Sequence, residues 1–126
     1  MLEKNMSFTL EKVVKENETA EKVASGALDV FSTPMLIAFM ENTAFKLVEP
    51  HLENGLTTVG TAINMKHLKA NLVGDKLRCT AKLVEIDRKR LQFQIEVTYE
   101  GEIVGVAEHE RFIVDEKKFM EKLKGR

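Results

Sequence analysis

The chain has 126 residues, 44% hydrophobic and 31% charged, with a net charge of −1. One domain of this length buries roughly two thirds of its unfolded surface, and its Lys and Arg are dispersed among Asp and Glu, so the basic excess that a nucleic-acid binder presents to phosphates is missing. The lone Cys79 excludes an intrachain disulfide and agrees with a reducing cytoplasm; without an apolar N-terminal h-region, or an apolar run near the roughly 20 residues that span a bilayer, no membrane partner is expected.

Phe8–Val14 alternates as a first strand, with Phe8, Leu10 and Val13 inward. Lys15–Ala20 is a polar connection, and the small-residue run Glu21–Phe31 suits either a short helix or a loop near a site. Thr33–Pro50 then reads as one helix, capped at Ser32 or Thr33, with Pro34 at its first position and Pro50 closing it. It is apolar nearly all the way round, the pattern of an element buried on every side.

After the Asn54–Gly55 turn, Thr57–His67 alternates, with Val59, Thr61, Ile63, Met65 and His67 on the apolar face. Gly60 inside this strand marks a bulge or a close approach by another group. Lys76–Ile86 follows, and its inward set Leu77, Cys79, Ala81 and Leu83 changes phase afterwards, which predicts a bulge near Leu83. Leu91–Tyr99 alternates strictly. Ile103–Val114 places Ile103, Gly105, Ala107, His109, Arg111 and Ile113 on one face, and Asp115–Lys124 reads as a short charged helix with Phe119 and Leu123 tucked in. The last strands are joined by short turns and form an antiparallel meander. One apolar helix covers a sheet of this size only if the sheet curls around it. The expected fold class is α+β in the hot-dog arrangement, as a single domain over residues 1–126.

Few residues carry chemistry. The three histidines have no metal-binding spacing, there is no phosphate-cradling glycine loop, and Cys79 belongs to the apolar set of its strand, where thiols are inert. No metal or cofactor is expected. Polar groups on apolar faces remain. Glu41 sits mid-helix with Ile37, Ala38, Ala44 and Phe45 three and four residues away, so its carboxylate must be paired, as with Lys46, or working. His67 ends a core-facing row, and His109 and Arg111 lie on the last strand. A carboxylate, imidazoles and a guanidinium around one helix are the groups acyl transfer uses.

The blocks Phe31-Ser-Thr-Pro34, Met40-Glu-Asn-Thr-Ala44, Val48-Glu-Pro-His-Leu52, Thr58-Val-Gly-Thr61, Lys66-His-Leu68 and His109-Glu-Arg111 occur in this order over residues 30–114. In them the chain resembles the hot-dog-fold thioesterases, most closely the fluoroacetyl-coenzyme A thioesterase family. The resemblance implies catalytic roles for Thr33, Glu41 and His67. It also implies that Gly60 helps hold the thioester carbonyl and that Arg111 lies in the active site. An acyl-CoA substrate and a homodimer with sites at the subunit interface are implied as well. Where that family closes its pocket with phenylalanines before the Thr, this chain has Ala24 and Ala27, which points to a different or broader acyl group.

The expected activity is hydrolysis of a small or medium acyl-CoA thioester, with Glu41 as general base or nucleophile and His67 passing the proton to the leaving thiolate. A non-hydrolytic acyl-CoA-binding module, an enoyl-CoA hydratase or dehydratase on the same fold, and a purely structural domain are the alternatives. A geometric condition attaches to Thr33: on one straight helix it lies roughly 12 Å from Glu41.

Overall fold

The computed structural model describes residues 1–126. Seven elements follow in the order β1 (Ser7–Val13), α1 (Thr33–Val48), β2 (Leu56–His67), β3 (Lys76–Asp87), β4 (Arg90–Tyr99), β5 (Glu102–Asp115) and α2 (Glu116–Lys124). The strands form one antiparallel sheet in the order β1-β3-β4-β5-β2, so β1 and β2 are its two edges. The sheet curls around α1, as the single long apolar helix requires.

The helix is less enclosed than its composition suggests. Leu36, Phe39, Met40, Thr43, Ala44, Leu47 and Val48 are buried against the sheet, whereas Ala38, Asn42 and Lys46 are exposed. The predicted strand β3 is as expected: Leu77, Cys79, Ala81 and Leu83 are fully buried and the register shifts between Leu83 and Glu85. In β1 the inward side is Leu10 and Lys12, followed by the buried Val14. Val13, expected inward, is exposed. Lys12 is held there by the buried Glu18 carboxylate and lies 5.5 Å from the centre of the Phe31 ring. This pins the segment between β1 and α1, which is a turn-rich loop closed by a Thr19–Phe31 bridge.

Two bulges change the faces expected of the last strands. In β2 the register shifts between Gly60 and Ala62, so Thr58 and Gly60 face the helix before the bulge and Ile63, Met65 and His67 face it afterwards. Thr61, expected inward, instead bonds Glu110. In β5 Val104 is the extra residue opposite Val97 and Thr98; it is buried, and Ile103 turns out to solvent. The terminal helix α2 also departs from expectation: Phe119, Met120 and Leu123 are all exposed.

Gly105 sets how closely α1 approaches the sheet. A Cβ there would meet Leu36 Cδ2 at 3.0 Å, Met40 Cε at 3.1 Å and the Lys66 carbonyl at 3.2 Å. Gly105→Ala is therefore expected to destabilise the fold by about 1–3 kcal/mol through overpacking, read as a lower urea midpoint with an unchanged denaturant slope.

Candidate active site

The start of α1 decides where Thr33 points. Ser32 is the N-cap, its Oγ accepting from the Met35 N–H at 3.3 Å, and this leaves the Thr33 hydroxyl free one position later. Thr33 Oγ1 lies 2.8 Å from His67 Nδ1, joining the N-terminus of the helix to the end of β2. His67 Nε2 is buried without a hydrogen-bond partner. Burial lowers the pKa of His67, opposed in part by the Lys69 backbone, so the imidazole is neutral at pH 7. A cleft of about 290 Å³ opens on this pair, lined also by Ala20, Ser25, Val30 and Phe31. A larger concavity, about 610 Å³, lies on the polar outer face of the sheet between Lys66, Lys82, Glu96 and Glu108 and contains none of the candidate residues.

Glu41 faces a second cluster. A Cβ built on Gly60 would sit 2.9 Å from Glu41 Oε2, 3.3 Å from Arg111 Nη1 and 3.4 Å from His109 Cε1. The missing side chain is thus explained by the groups that converge over it. Arg111 is buried, donating from Nε to Thr58 Oγ1 (2.8 Å), from Nη2 to the Thr58 carbonyl (3.1 Å) and from Nη1 to His109 Nε2 (3.2 Å). Its guanidinium also lies 5.8 Å from the Phe45 ring centre. His109 donates from Nδ1 to the Ala62 carbonyl at the bulge (2.8 Å), which fixes the tautomer that accepts from Arg111. Burial lowers the pKa of His109; the Ala62 bond opposes this and the Arg111 charge adds to it. The pKa of Arg111 is lowered by burial, against the pull of Glu41 and Glu49. Glu41 makes no ion pair, neither with Lys46 nor with Arg111.

Within one chain these are two separate clusters. Thr33 and Glu41 are eight residues apart on α1, roughly 12 Å, and Gly60 and His67 are separated by seven residues of strand, roughly 20 Å. The histidine nearest Glu41 is His109, not His67. Thr58 and His109, the partners that orient Arg111, were not assigned roles from sequence. Thr58 is two residues from Gly60, and its face becomes apparent only when the bulge is placed.

The curled sheet on one helix, with a hydroxyl–imidazole pair and an unpaired carboxylate at its rim, defines a hot-dog thioesterase. The family model described as "Fluoroacetyl-CoA-specific thioesterase" matches residues 14–117, and the chain belongs to this family. It is an acyl-CoA thioesterase. The fluoroacetyl-CoA thioesterase of Streptantibioticus cattleyicolor is 29% identical over 96 residues, covering 76% of this chain and 69% of that protein. A structure of the fluoroacetyl-CoA thioesterase FlK superposes with a TM-score of 0.94 at 25% identity, covering 100% of this chain and 98% of that one. A variant of FlK in complex with fluoroacetate and CoA matches with a TM-score of 0.86 at 26% identity, covering 94% and 99%.

Gly60→Ala is expected to separate activity from stability. The clashing atom is the end of the flexible Glu41 side chain, so the stability change stays within about 1 kcal/mol. Displacing that carboxylate by an ångström lowers kcat/KM about 100-fold; both follow from urea titration and thiol-release kinetics on one preparation. The pH dependence has a definite sign. With the folded pKa of His67 below its ordinary 6.5, kcat/KM is expected to hold above that value and to fall as pH drops through the lowered pKa. The unfolded chain takes up protons first, so the stability contributed by neutral His67 and His109 is present above about pH 6.5 and is lost on acidification.

Proposed function

We propose that the protein hydrolyses small to medium acyl-CoA thioesters at sites shared between two copies of the chain, each site combining Thr33 and His67 of one subunit with Glu41 of the partner subunit. The observation that carries this is the separation of the half-sites within one chain. Supporting it, β2 is a twelve-residue edge strand with β5 on one side only, and its free N–H and C=O groups are a template for a further strand. The other edge, β1, is shorter and bears Glu11 and Lys12, the charges that blunt an edge. Antiparallel pairing of two β2 strands about a two-fold axis near Ile63 and Asn64 sets Gly60 of one subunit opposite His67 of the partner. The Glu41 over Gly60 then meets the partner's Thr33–His67 pair. The half-exposed Ile37, Phe45, Ile63 and Met65 are covered by the same association.

In the reaction, water attacks the thioester carbonyl carbon and Glu41 accepts its proton. Thr33 accepts from His67 Nδ1–H, leaving Nε2 as the free acceptor that takes the proton on. The carbon–sulfur bond breaks, and His67 returns the proton to the leaving thiolate. The Gly60 backbone and the Arg111 guanidinium stabilise the negative charge that develops on the carbonyl oxygen. Ala24 and Ala27 are exposed on the loop before α1, and the Thr33–His67 cleft is at the small end of the range for ligand pockets. Both favour small to medium acyl groups without a bulky closure. The chain uses no metal or cofactor beyond the CoA of its substrate in this scheme and works in the cytoplasm.

Complementation tests the shared site. Thr33→Ala and Glu41→Gln are each expected to be inactive on a panel of acyl-CoA thioesters. Unfolded together and refolded, they form mixed dimers with one intact site of two, and about one quarter of wild-type activity returns. Sites built within one chain would leave the mixture as inactive as its components.

A further inference from the structure

The helix α2 is amphipathic and its apolar side is only partly covered by its own chain. Phe119, Met120 and Leu123 are exposed at 38%, 44% and 42%. Around them residues 116–126 carry five basic against two acidic side chains. A second exposed apolar group lies elsewhere in the same chain: Leu28, Leu68 and Leu72, exposed at 68%, 54% and 62%. Leu68 lines the rim of the Thr33–His67 cleft, and Leu28 belongs to the loop whose Ala20, Ser25 and Val30 line the same cleft. That loop is acidic at its surface: with Glu18 buried and paired with Lys12, the exposed Glu16, Glu21 and Asp29 stand against Lys22 over residues 16–29. The two surfaces thus match in apolar character and oppose in charge.

Within one chain they are at opposite ends of β2. The helix starts where β5 ends beside the beginning of β2, with Leu56 opposite Asp115 and the Glu116 N–H bonded to the Gly55 carbonyl. Leu68 follows the last residue of β2. Two-fold pairing of β2 strands reverses this. With Gly60 opposite the partner's His67, the residues following that histidine run toward Gly55 and Leu56, where α2 begins. The nine residues of α2 reach about 13 Å from that point.

We infer that α2 of each subunit docks on the partner subunit, its Phe119–Leu123 face against the partner's Leu68–Leu72 segment and its lysines beside the partner's acidic loop, so that it walls the outer rim of the partner's Thr33–His67 cleft. The occupant of the exposed α2 face is a second copy of this chain. The inference rests on the β2 pairing proposed above, and the docking extends that interface without a break. It makes the C-terminal helix part of the boundary of an acyl-CoA site to which its own chain contributes the carboxylate.

Cysteine cross-linking tests it in the full-length protein. The native Cys79 is buried, and burial pushes its thiol up to about 11, so it stays silent. Asn64→Cys, one residue from the two-fold, reports the β2 pairing by itself through a covalent dimer. Leu123→Cys combined in turn with Leu68→Cys and with Leu72→Cys reports the docking. At least one combination is expected to give about ten-fold more covalent dimer on mild oxidation than either single variant. A dimer band from Asn64→Cys with none above the single-variant level from the Leu123 combinations would overturn the docking alone. Absence of both bands would overturn it together with the β2 pairing.

Discussion

Thr33 and Glu41 ride on one rigid helix, eight residues apart, and no change of side-chain rotamer brings them together. His67 and Gly60 are likewise held seven positions apart on one strand. These fixed spacings dictate what the fold can do. A single copy presents a hydroxyl–imidazole pair at one end of the helix and a carboxylate near its middle; in the proposed dimer, an axis through the edge strand brings the two into one place. The proposed site is therefore tied to the edge of the sheet, the place where a curled sheet of five strands is left open.

The bulge in β2 decides which side chains of this edge face the helix. By adding one residue between Gly60 and Ala62, it lets Thr58 and Gly60 face the helix on one side and His67 on the other, which strict alternation forbids. The Ala62 carbonyl holds His109, His109 holds Arg111, and Arg111 is anchored at Thr58. This buried chain of hydrogen bonds spans the bulge and keeps a guanidinium beside Glu41 without pairing with it. Each of the three guanidinium nitrogens donates to a partner within it, and such pairing is what makes a buried polar network tolerable.

Much of the fold was legible in the sequence because its signals are periodic. The strict alternation of Leu91–Tyr99, the phase change after Leu83 and the apolar run from Pro34 to Val48 each correspond to an element in place. Faces were read less well where a bulge intervened, as with Thr58, Thr61 and Ile103, because a one-residue shift reverses every later side chain. Glu41 stood out as a carboxylate among apolar neighbours. Its surroundings did not, since His109, Arg111 and Gly60 come from other strands and no local pattern joins them to a helix. The exposed stripe of α2 departs from expectation for a related reason: periodicity shows that Phe119 and Leu123 share a side, and not what covers it.

The central claim is that Glu41 takes the proton from the attacking water. Glu41→Gln keeps the shape and removes the charge, so thiol release from acyl-CoA, measured alongside calorimetric binding of the same thioester, tests it most directly. The account predicts that turnover falls by at least about 100-fold while binding persists. Turnover at the wild-type rate in that variant would contradict it.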